Sequence, residues 1–157
     1  MNIKANGKEY NIEYTFEAAE SDIVQKAFDF FSGAYILKQG KEATDPIGQL
    51  DAMMAGTAES SKFMIDFLYM GLLESHGVHE DGDKTITCRE DAKRLYKQFC
   101  KENPEDERAY QYNMLLALKE QMIEDGFFKR IGLESLMEMM NQEQPKIPQD
   151  HKKKAKA

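Results

Sequence analysis

Residues 58–75 read AESSKFMIDFLYMGLLES and predict the central helix of the fold. Apolar residues point almost all round this helix, which is typical of a helix that is buried on every side. With Lys62 and Asp66 inside it, the stretch is too short and too polar to be a membrane span. We expect Asp66 to point toward solvent or a helix end, and a buried functional acid is the alternative.

A short helix is predicted just before this stretch. Residues 38–46 are polar and end in Asp45-Pro46, which indicates a loop with proline at the first helical position. The apolar spacing of residues 47–54 then predicts a helix that closes near Gly56.

An N-terminal β-hairpin and a longer helix are predicted upstream. Asn6-Gly7 is the preferred pair for a type I′ turn, because both residues accept positive φ. The residues that alternate around the turn are Ile3, Ala5, Tyr10, Ile12 and Tyr14. A helix is predicted to begin at Phe16, with Thr15 as its cap, and to run to Ala34. Gly33 either ends this helix or only weakens it, and Gly40 is a second stop signal.

Three helices are predicted downstream. Residues 87–90, Thr-Cys-Arg-Glu, have the pattern of a capping box. The helix behind them carries one apolar stripe, formed by Cys88, Ala92, Leu95, Tyr96 and Phe99. Asn103-Pro104 predicts the start of the next helix, which runs to Gly126. The last predicted helix holds Phe127, Phe128, Ile131, Leu133, Leu136, Met137, Met139 and Met140.

Together these elements predict a mainly α fold (α+β), with an N-terminal β-hairpin followed by five or six packed helices. The length of 157 residues fits one domain, which we place at residues 1–142. From Gln142 onward the chain is polar and contains Pro145 and Pro148. We therefore expect residues 143–157 to form a disordered, Lys-rich tail.

The composition argues against several classes of protein. The net charge of -7 repels phosphate backbones, so we expect no nucleic-acid partner. The lysines of residues 152–157 are interpreted as a solvated tail, because no aromatic residue is interleaved with them. No run of about 18 apolar residues occurs, so we expect no membrane partner. The N-terminal residues lack the apolar core of a secretory signal, which favours a cytoplasmic protein.

One loop contains a cluster that resembles a set of metal ligands, namely His76, His79, Glu80, Asp81 and Asp83. A zinc site usually draws ligands from a second segment as well, and no matching segment occurs. A polar loop without a metal is therefore the favoured interpretation. The sequence also lacks the glycine loops that bind phosphates and the elbow of a serine nucleophile.

The two cysteines offer little chemistry. Cys88 and Cys100 are expected about 18 Å apart on one helix, which is too far for a disulfide. We expect both thiols to be buried or half-buried. A dyad of Cys88 with a histidine of the loop is possible in principle, but a core or capping position is favoured. We therefore expect neither an enzyme nor a cofactor.

Two apolar surfaces remain as candidate sites for a protein partner. The last helix is rich in methionine, whose side chain adapts to a partner. Its candidate partner-binding residues are Phe127, Phe128, Leu133, Leu136, Met137, Met139 and Met140. Docking of this helix on its own domain is an equally open alternative. The second surface is the hairpin edge, since an unpaired strand invites strand addition or self-association.

The opening residues MNIKANGKEY, followed by Ile12, Tyr14, Thr15 and Phe16, resemble a known family. It is that of the tail assembly chaperones of long-tailed (siphovirus-type) phages that infect Gram-positive bacteria. Members begin with such a hairpin, enter a helix through Thr-Phe or Ser-Phe, and continue with acidic helices. The resemblance is best over residues 1–75 and looser to about residue 142.

This resemblance implies a function and a set of partners. The chain would bind the tape measure protein of the phage, a long apolar helical protein, and keep it soluble during tail tube assembly. It would use no cofactor, act in the host cytoplasm and be absent from the mature virion. The tail tube protein and further copies of the chain are additional candidate partners. The alternative function is a structural or adaptor protein that is retained in the phage tail.

Overall fold

The computed structural model describes residues 1–31 and 46–135, except for the side chains of residues 28, 31 and 46–60. The strands are β1 (Asn2–Ala5) and β2 (Lys8–Asn11). The helices are α1 (Phe16–Glu20), α2 (Val24–Phe31), α3 (Pro46–His76), α4 (Arg89–Glu102), a 3-10 helix (Glu107–Ala109), α5 (Gln111–Glu124) and α6 (Phe127–Arg130). The predicted fold class, a β-hairpin followed by helices, is confirmed. The predicted division at residue 142 lies outside the described residues.

The hairpin forms as predicted. Asn6 has φ 53° and Gly7 has φ 71°, so both turn residues adopt the left-handed conformation that a type I′ turn requires. The strands pair antiparallel, with Ile3 opposite Tyr10. Strand β1 packs against α4 and strand β2 against α3, and Ile3 and Ala5 are buried. The packing supplies the apolar support that an isolated two-stranded hairpin lacks.

The single helix predicted over residues 16–34 is wrong, because the chain breaks between α1 and α2. Ser21 has an extended backbone with ψ 148°. Its hydroxyl accepts a hydrogen bond from the Ile23 amide at 3.1 Å, and its carbonyl accepts one from the Val24 amide. A serine that satisfies the free amides at a helix start favours a new helix over a continued one. Gly33 and Gly40 lie outside the described residues.

Thr15 stands at the N-cap of α1 as predicted, but its side chain makes no capping hydrogen bond. A carboxylate from α3 does this instead, since Glu74 accepts the amide of Glu17 at 3.0 Å. The start of α1 is therefore fixed by tertiary packing and not by its own sequence.

Helix α3 is the central helix, as predicted, but it is longer than predicted. One continuous helix covers both the short helix expected over residues 47–54 and the stretch that follows. Gly56 does not end it. A glycine inside a helix costs only about 1 kcal/mol relative to alanine, which packing along a long helix can offset. Within residues 61–76 of α3, the apolar side chains with no exposed surface are Met64, Phe67, Leu68, Met70 and Leu72.

The chain after β2 packs closely against α3 at Gly71. Glu13 donates its amide hydrogen to the Gly71 carbonyl oxygen at 2.9 Å. Ile12 and Tyr14, on either side of Glu13, are fully buried, and the Tyr14 hydroxyl donates to the Phe67 carbonyl oxygen at 2.9 Å. A Cβ atom on Gly71 would lie 2.7 Å from Ile12 Cγ2. Only glycine allows this approach.

Helix α4 begins one residue later than the predicted capping box. Cys88 is its N-cap, and Asp91, not Glu90, is the capping acid. The Asp91 carboxylate accepts hydrogen bonds from the amides of Thr87 and Cys88 and from the Thr87 hydroxyl. The predicted stripe of Ala92, Leu95, Tyr96 and Phe99 is buried, as expected. Cys88 is exposed, so the prediction that it belongs to this stripe is wrong.

The cap of α4 makes stability depend on pH. Hydrogen bonds from the Thr87 side chain, the Thr87 amide and Arg94 hold the pKa of Asp91 well below its usual range. A lowered pKa means that this stabilisation is present above about pH 4 and is lost as the pH falls further. We expect Asp91→Asn to shrink the stability difference between pH 6 and pH 3 by about 1 kcal/mol. Urea unfolding at both pH values measures the free energy of unfolding from which this difference is taken.

The exposed neighbour Glu90 provides the control for this prediction. Its side chain pairs only distantly with Arg89 and Lys93, at 3.7 and 3.6 Å. Glu90→Gln should therefore leave the pH profile unchanged. If Asp91→Asn and Glu90→Gln change the pH dependence of stability equally, Asp91 does not have the role given to it here.

The next helix starts at Gln111, and the predicted start at Asn103-Pro104 is wrong. Asn103 ends α4 instead, because its side-chain amide donates to the carbonyl oxygens of Phe99 and Lys4 at 3.0 Å each. Asp106 then caps the short 3-10 helix by accepting the amide of Arg108 at 2.9 Å. Asn103 therefore stabilises the end of α4, and α5 begins only at Gln111.

Helix α5 ends before Gly126, which has φ 67° as its predicted stop role requires. The last predicted helix, however, is interrupted after Arg130, and helix is seen again at Glu134 and Ser135. Gly132 has φ 79°, its amide donates to the Lys129 carbonyl, and the Leu133 amide donates to the Phe128 carbonyl. These two bonds form a Schellman motif, which ends α6 after one turn. No helix within residues 1–31 and 46–135 is long and apolar enough to cross a membrane.

Candidate protein-binding surface

The outward side of α5 carries large apolar side chains that the fold leaves exposed. Tyr112, Leu116 and Ile123 are 66%, 41% and 52% exposed. Their spacings of four and seven residues place them along one side of the helix. We call these three residues the α5 stripe.

The opposite side of α5 is part of the core. It consists of Met114, Leu115, Leu118 and Met122, all of which are buried. This side packs mainly against α3. Helix α5 is therefore apolar on two sides, and among residues 1–31 and 46–135 the core packs against only one of them.

Two carboxylates flank the α5 stripe. Glu120 and Glu124 are exposed and lie four residues apart on one side of α5, and Glu120 lies one turn after Leu116. Neither takes part in an ion pair or a hydrogen bond with any other described residue. The α5 stripe therefore has one acidic edge, whose carboxylates have no cationic partner among the described residues, and Lys119 lies at its opposite edge.

The predicted partner-binding residues lie elsewhere. Phe127 and Phe128 are 0% and 5% exposed, and the Phe127 ring packs 5.7 Å from the Tyr14 ring, measured between centroids. Both rings belong to the core, so neither is available to a partner in this structure. Leu133 is half-buried and packs against the same core. The remaining candidates, Leu136, Met137, Met139 and Met140, lie outside the described residues.

The second predicted surface is the hairpin edge, and along β1 this edge is partly covered by side chains. The Asn2 carbonyl accepts a hydrogen bond from Arg108 at 2.9 Å, and the Lys4 carbonyl accepts one from Asn103. The Asn6 amide donates to Glu102 at 2.8 Å. These partners occupy the Asn2 and Lys4 carbonyl groups and the Asn6 amide, which hinders addition of another strand along β1.

Residues 76–84, which we call the histidine loop, connect the hairpin to α3 through hydrogen bonds. His76 Nε2 accepts the amide hydrogen of Asn11 at 3.0 Å, so the proton of the neutral ring lies on Nδ1 and is donated to Asp83. Partial burial raises the pKa of Asp83, but hydrogen bonds from Lys8, Thr85 and His76 outweigh it and hold that pKa well below its usual range. No group of three potential metal ligands occurs among the residues described.

Asp66 is not at the surface, contrary to prediction. It is 4% exposed and forms ion pairs with Arg89 of α4 and, at 3.0 Å, with Lys26 of α2. The carboxylate thus connects three helices through two cations that remain partly in water.

The thiols differ in their surroundings. Cys100 is half-buried, as predicted, and its sulfur lies 3.4 Å from the Ala109 carbonyl oxygen. Cys88 is exposed, which contradicts the expected burial. It is the N-cap residue of α4, which is the capping position named as an alternative to a core position.

Sequence reasoning missed the α5 stripe, although a signal for it exists. Residues 112, 116 and 123 and residues 114, 118 and 122 are two interleaved apolar sets with helical spacing. A helix with both sets has more apolar surface than one contact with its own domain can cover. Comparison of the chain with known protein families, with curated proteins and with solved structures found no match.

Proposed function

We propose that this chain is a tail assembly chaperone of a long-tailed phage of Gram-positive bacteria. In this role it binds the tape measure protein and keeps it soluble in the host cytoplasm while the tail tube assembles. The observation that carries the proposal is the exposed α5 stripe on a strongly acidic chain.

The stripe and the charge suit this task for different reasons. A chaperone for an apolar helical protein needs an apolar surface that stays accessible, and contiguous exposed apolar side chains often serve protein binding. It must also keep the complex in solution, and a net charge of -7 opposes aggregation. The opening hairpin and its connection to α1 through Thr15-Phe16 agree with the resemblance to this family.

Co-expression with the tape measure protein of the same phage tests the proposal. We expect this chain to move most of the tape measure protein into the soluble fraction. The variant Leu116→Gln/Ile123→Gln should lower that fraction, because replacing two apolar contacts with amides weakens binding by roughly tenfold or more. Measurement is by gel densitometry of the soluble and pelleted protein.

Val78→Gln is the matched control, since Val78 is 63% exposed and lies in the loop after α3. It should leave the soluble fraction unchanged. If the wild-type chain has no effect on solubility, the chaperone proposal fails. Mass spectrometry of purified virions provides a second readout, and recovery of the chain in amounts similar to other tail proteins would favour the structural or adaptor role.

A further inference from the structure

We propose that the α5 stripe binds an amphipathic helix with basic residues beside its apolar side. This inference rests on the proposed function and specifies which segments of a client the chaperone would hold. It follows from the spacing of the exposed apolar residues, from the charge beside them, and from the continuous helix that presents both.

The spacing of the stripe selects a helical ligand. Tyr112 and Ile123 are eleven residues apart, so the stripe is about 16 Å long. A partner helix that lies along it with apolar residues at positions i, i+3 or i+4, and i+7 would contact all three side chains. An extended strand would find no free backbone groups to pair with on the side of a helix.

The charges beside the α5 stripe favour basic residues next to the apolar side of that ligand. Glu120 and Glu124 are exposed on the same helix and have no cationic partner among residues 1–31 and 46–135. Lys or Arg on the partner would neutralise them at the rim of the contact, whereas Asp or Glu would be repelled. Because exposed charges contribute mainly to specificity, the effect should appear as discrimination between ligands.

A second copy of this chain packed antiparallel is a poorer occupant of the α5 stripe. If two α5 helices packed antiparallel about a two-fold axis, the border with Glu120 of one copy would lie on the same side as that of the other copy. The like charges would then oppose the contact. A basic ligand faces no such penalty.

Binding of synthetic peptides to the full chain tests the inference. Two labelled peptides of about 18 residues share one leucine stripe, and the flanking residues are Lys in one and Glu in the other. Fluorescence anisotropy measures both dissociation constants at low salt. We expect the Lys peptide to bind at least tenfold more tightly, and Leu116→Gln/Ile123→Gln to weaken it by about tenfold or more.

A charge swap separates the border from the overall charge of the protein. Glu120→Lys/Glu124→Lys should weaken binding of the Lys peptide about tenfold and strengthen binding of the Glu peptide. Glu80→Lys/Asp81→Lys changes the net charge equally at exposed residues of the histidine loop, and its effect on either peptide should be less than half as large. Equal effects of the two swaps, or no discrimination between the peptides, would overturn the inference.

Light scattering tests whether a second copy of the chain occupies the α5 stripe. If the chain alone is a dimer and Leu116→Gln/Ile123→Gln makes it a monomer, the stripe serves self-association and the inference is wrong. These experiments use no tape measure protein. A negative peptide result with a positive co-expression result would therefore reject this site and leave the proposed function standing.

Discussion

Gly71→Ala is expected to destabilise the protein by about 2–3 kcal/mol, although alanine is the better helix former. The new Cβ atom would lie 2.7 Å from Ile12 Cγ2 and 2.8 Å from Tyr14 Cζ. Neither side chain can move into solvent, because both are fully buried. Urea unfolding followed by circular dichroism measures the change in the free energy of unfolding.

A double-mutant cycle shows whether the clash is the cause. Ile12→Ala removes Cγ2 and is itself destabilising, because it opens a cavity. The double variant Gly71→Ala/Ile12→Ala should nevertheless lose less stability than the two single variants together, since the new methyl group occupies part of that space. If Gly71→Ala proves as stable as the wild type, the chain after β2 does not pack on α3 as described.

Arg89→Met is expected to cost about 3 kcal/mol, at the lower end of the range for breaking a buried ion pair. After this substitution, Lys26 is the remaining cationic partner of the buried Asp66 carboxylate among the described residues. Lys26 keeps 53% of its side chain in water, so it compensates only part of the loss. The free energy of unfolding in urea is again the measurement.

Arg94→Met is the matched control for this prediction. Arg94 lies on the same helix and also pairs with an aspartate, but its side chain is 76% exposed. Its replacement should cost less than about 1 kcal/mol. The double variant Arg89→Met/Asp66→Leu removes both charges and should regain stability relative to Arg89→Met. Equal losses for Arg89→Met and Arg94→Met would mean that Asp66 is not buried as described.

Elements whose signals are local could be predicted from the sequence. The hairpin follows from Asn6-Gly7, because the need for positive φ is a property of the turn residues themselves. The central position of α3 follows from its apolar residues on all sides. Gly126 marks a helix end for the same kind of local reason.

Helix boundaries that depend on distant partners could not be predicted. Asn103 resembles a helix start, but Lys4 and Phe99 draw its side chain to the end of α4. The start of α1 depends on Glu74, which is far away in the sequence. Gly132 ends α6 through a local motif, yet the apolar residues on both sides of it favoured one long helix in the sequence.

The candidate site could be predicted only in kind. An apolar helical surface for a protein partner was expected, but the expected helix contributes Phe127 and Phe128 to the core. Met114 and Leu116 are similar in hydrophobicity, so composition does not tell which one faces the core. Only the packing of α5 on α3 separates them.

The hydrogen bonds that partly cover the edge of β1 have a consequence for synthesis on the ribosome. Arg108 is 106 residues beyond Asn2, and Asn103 is 99 residues beyond Lys4. The turn can close within microseconds, but the strand pair is only marginally stable before the supporting helices are made, and the β1 edge lacks these partners until Asn103 and Arg108 emerge. At ordinary elongation rates that interval is about 5–20 s. During it, the nascent chain exposes a strand edge that the finished protein partly covers.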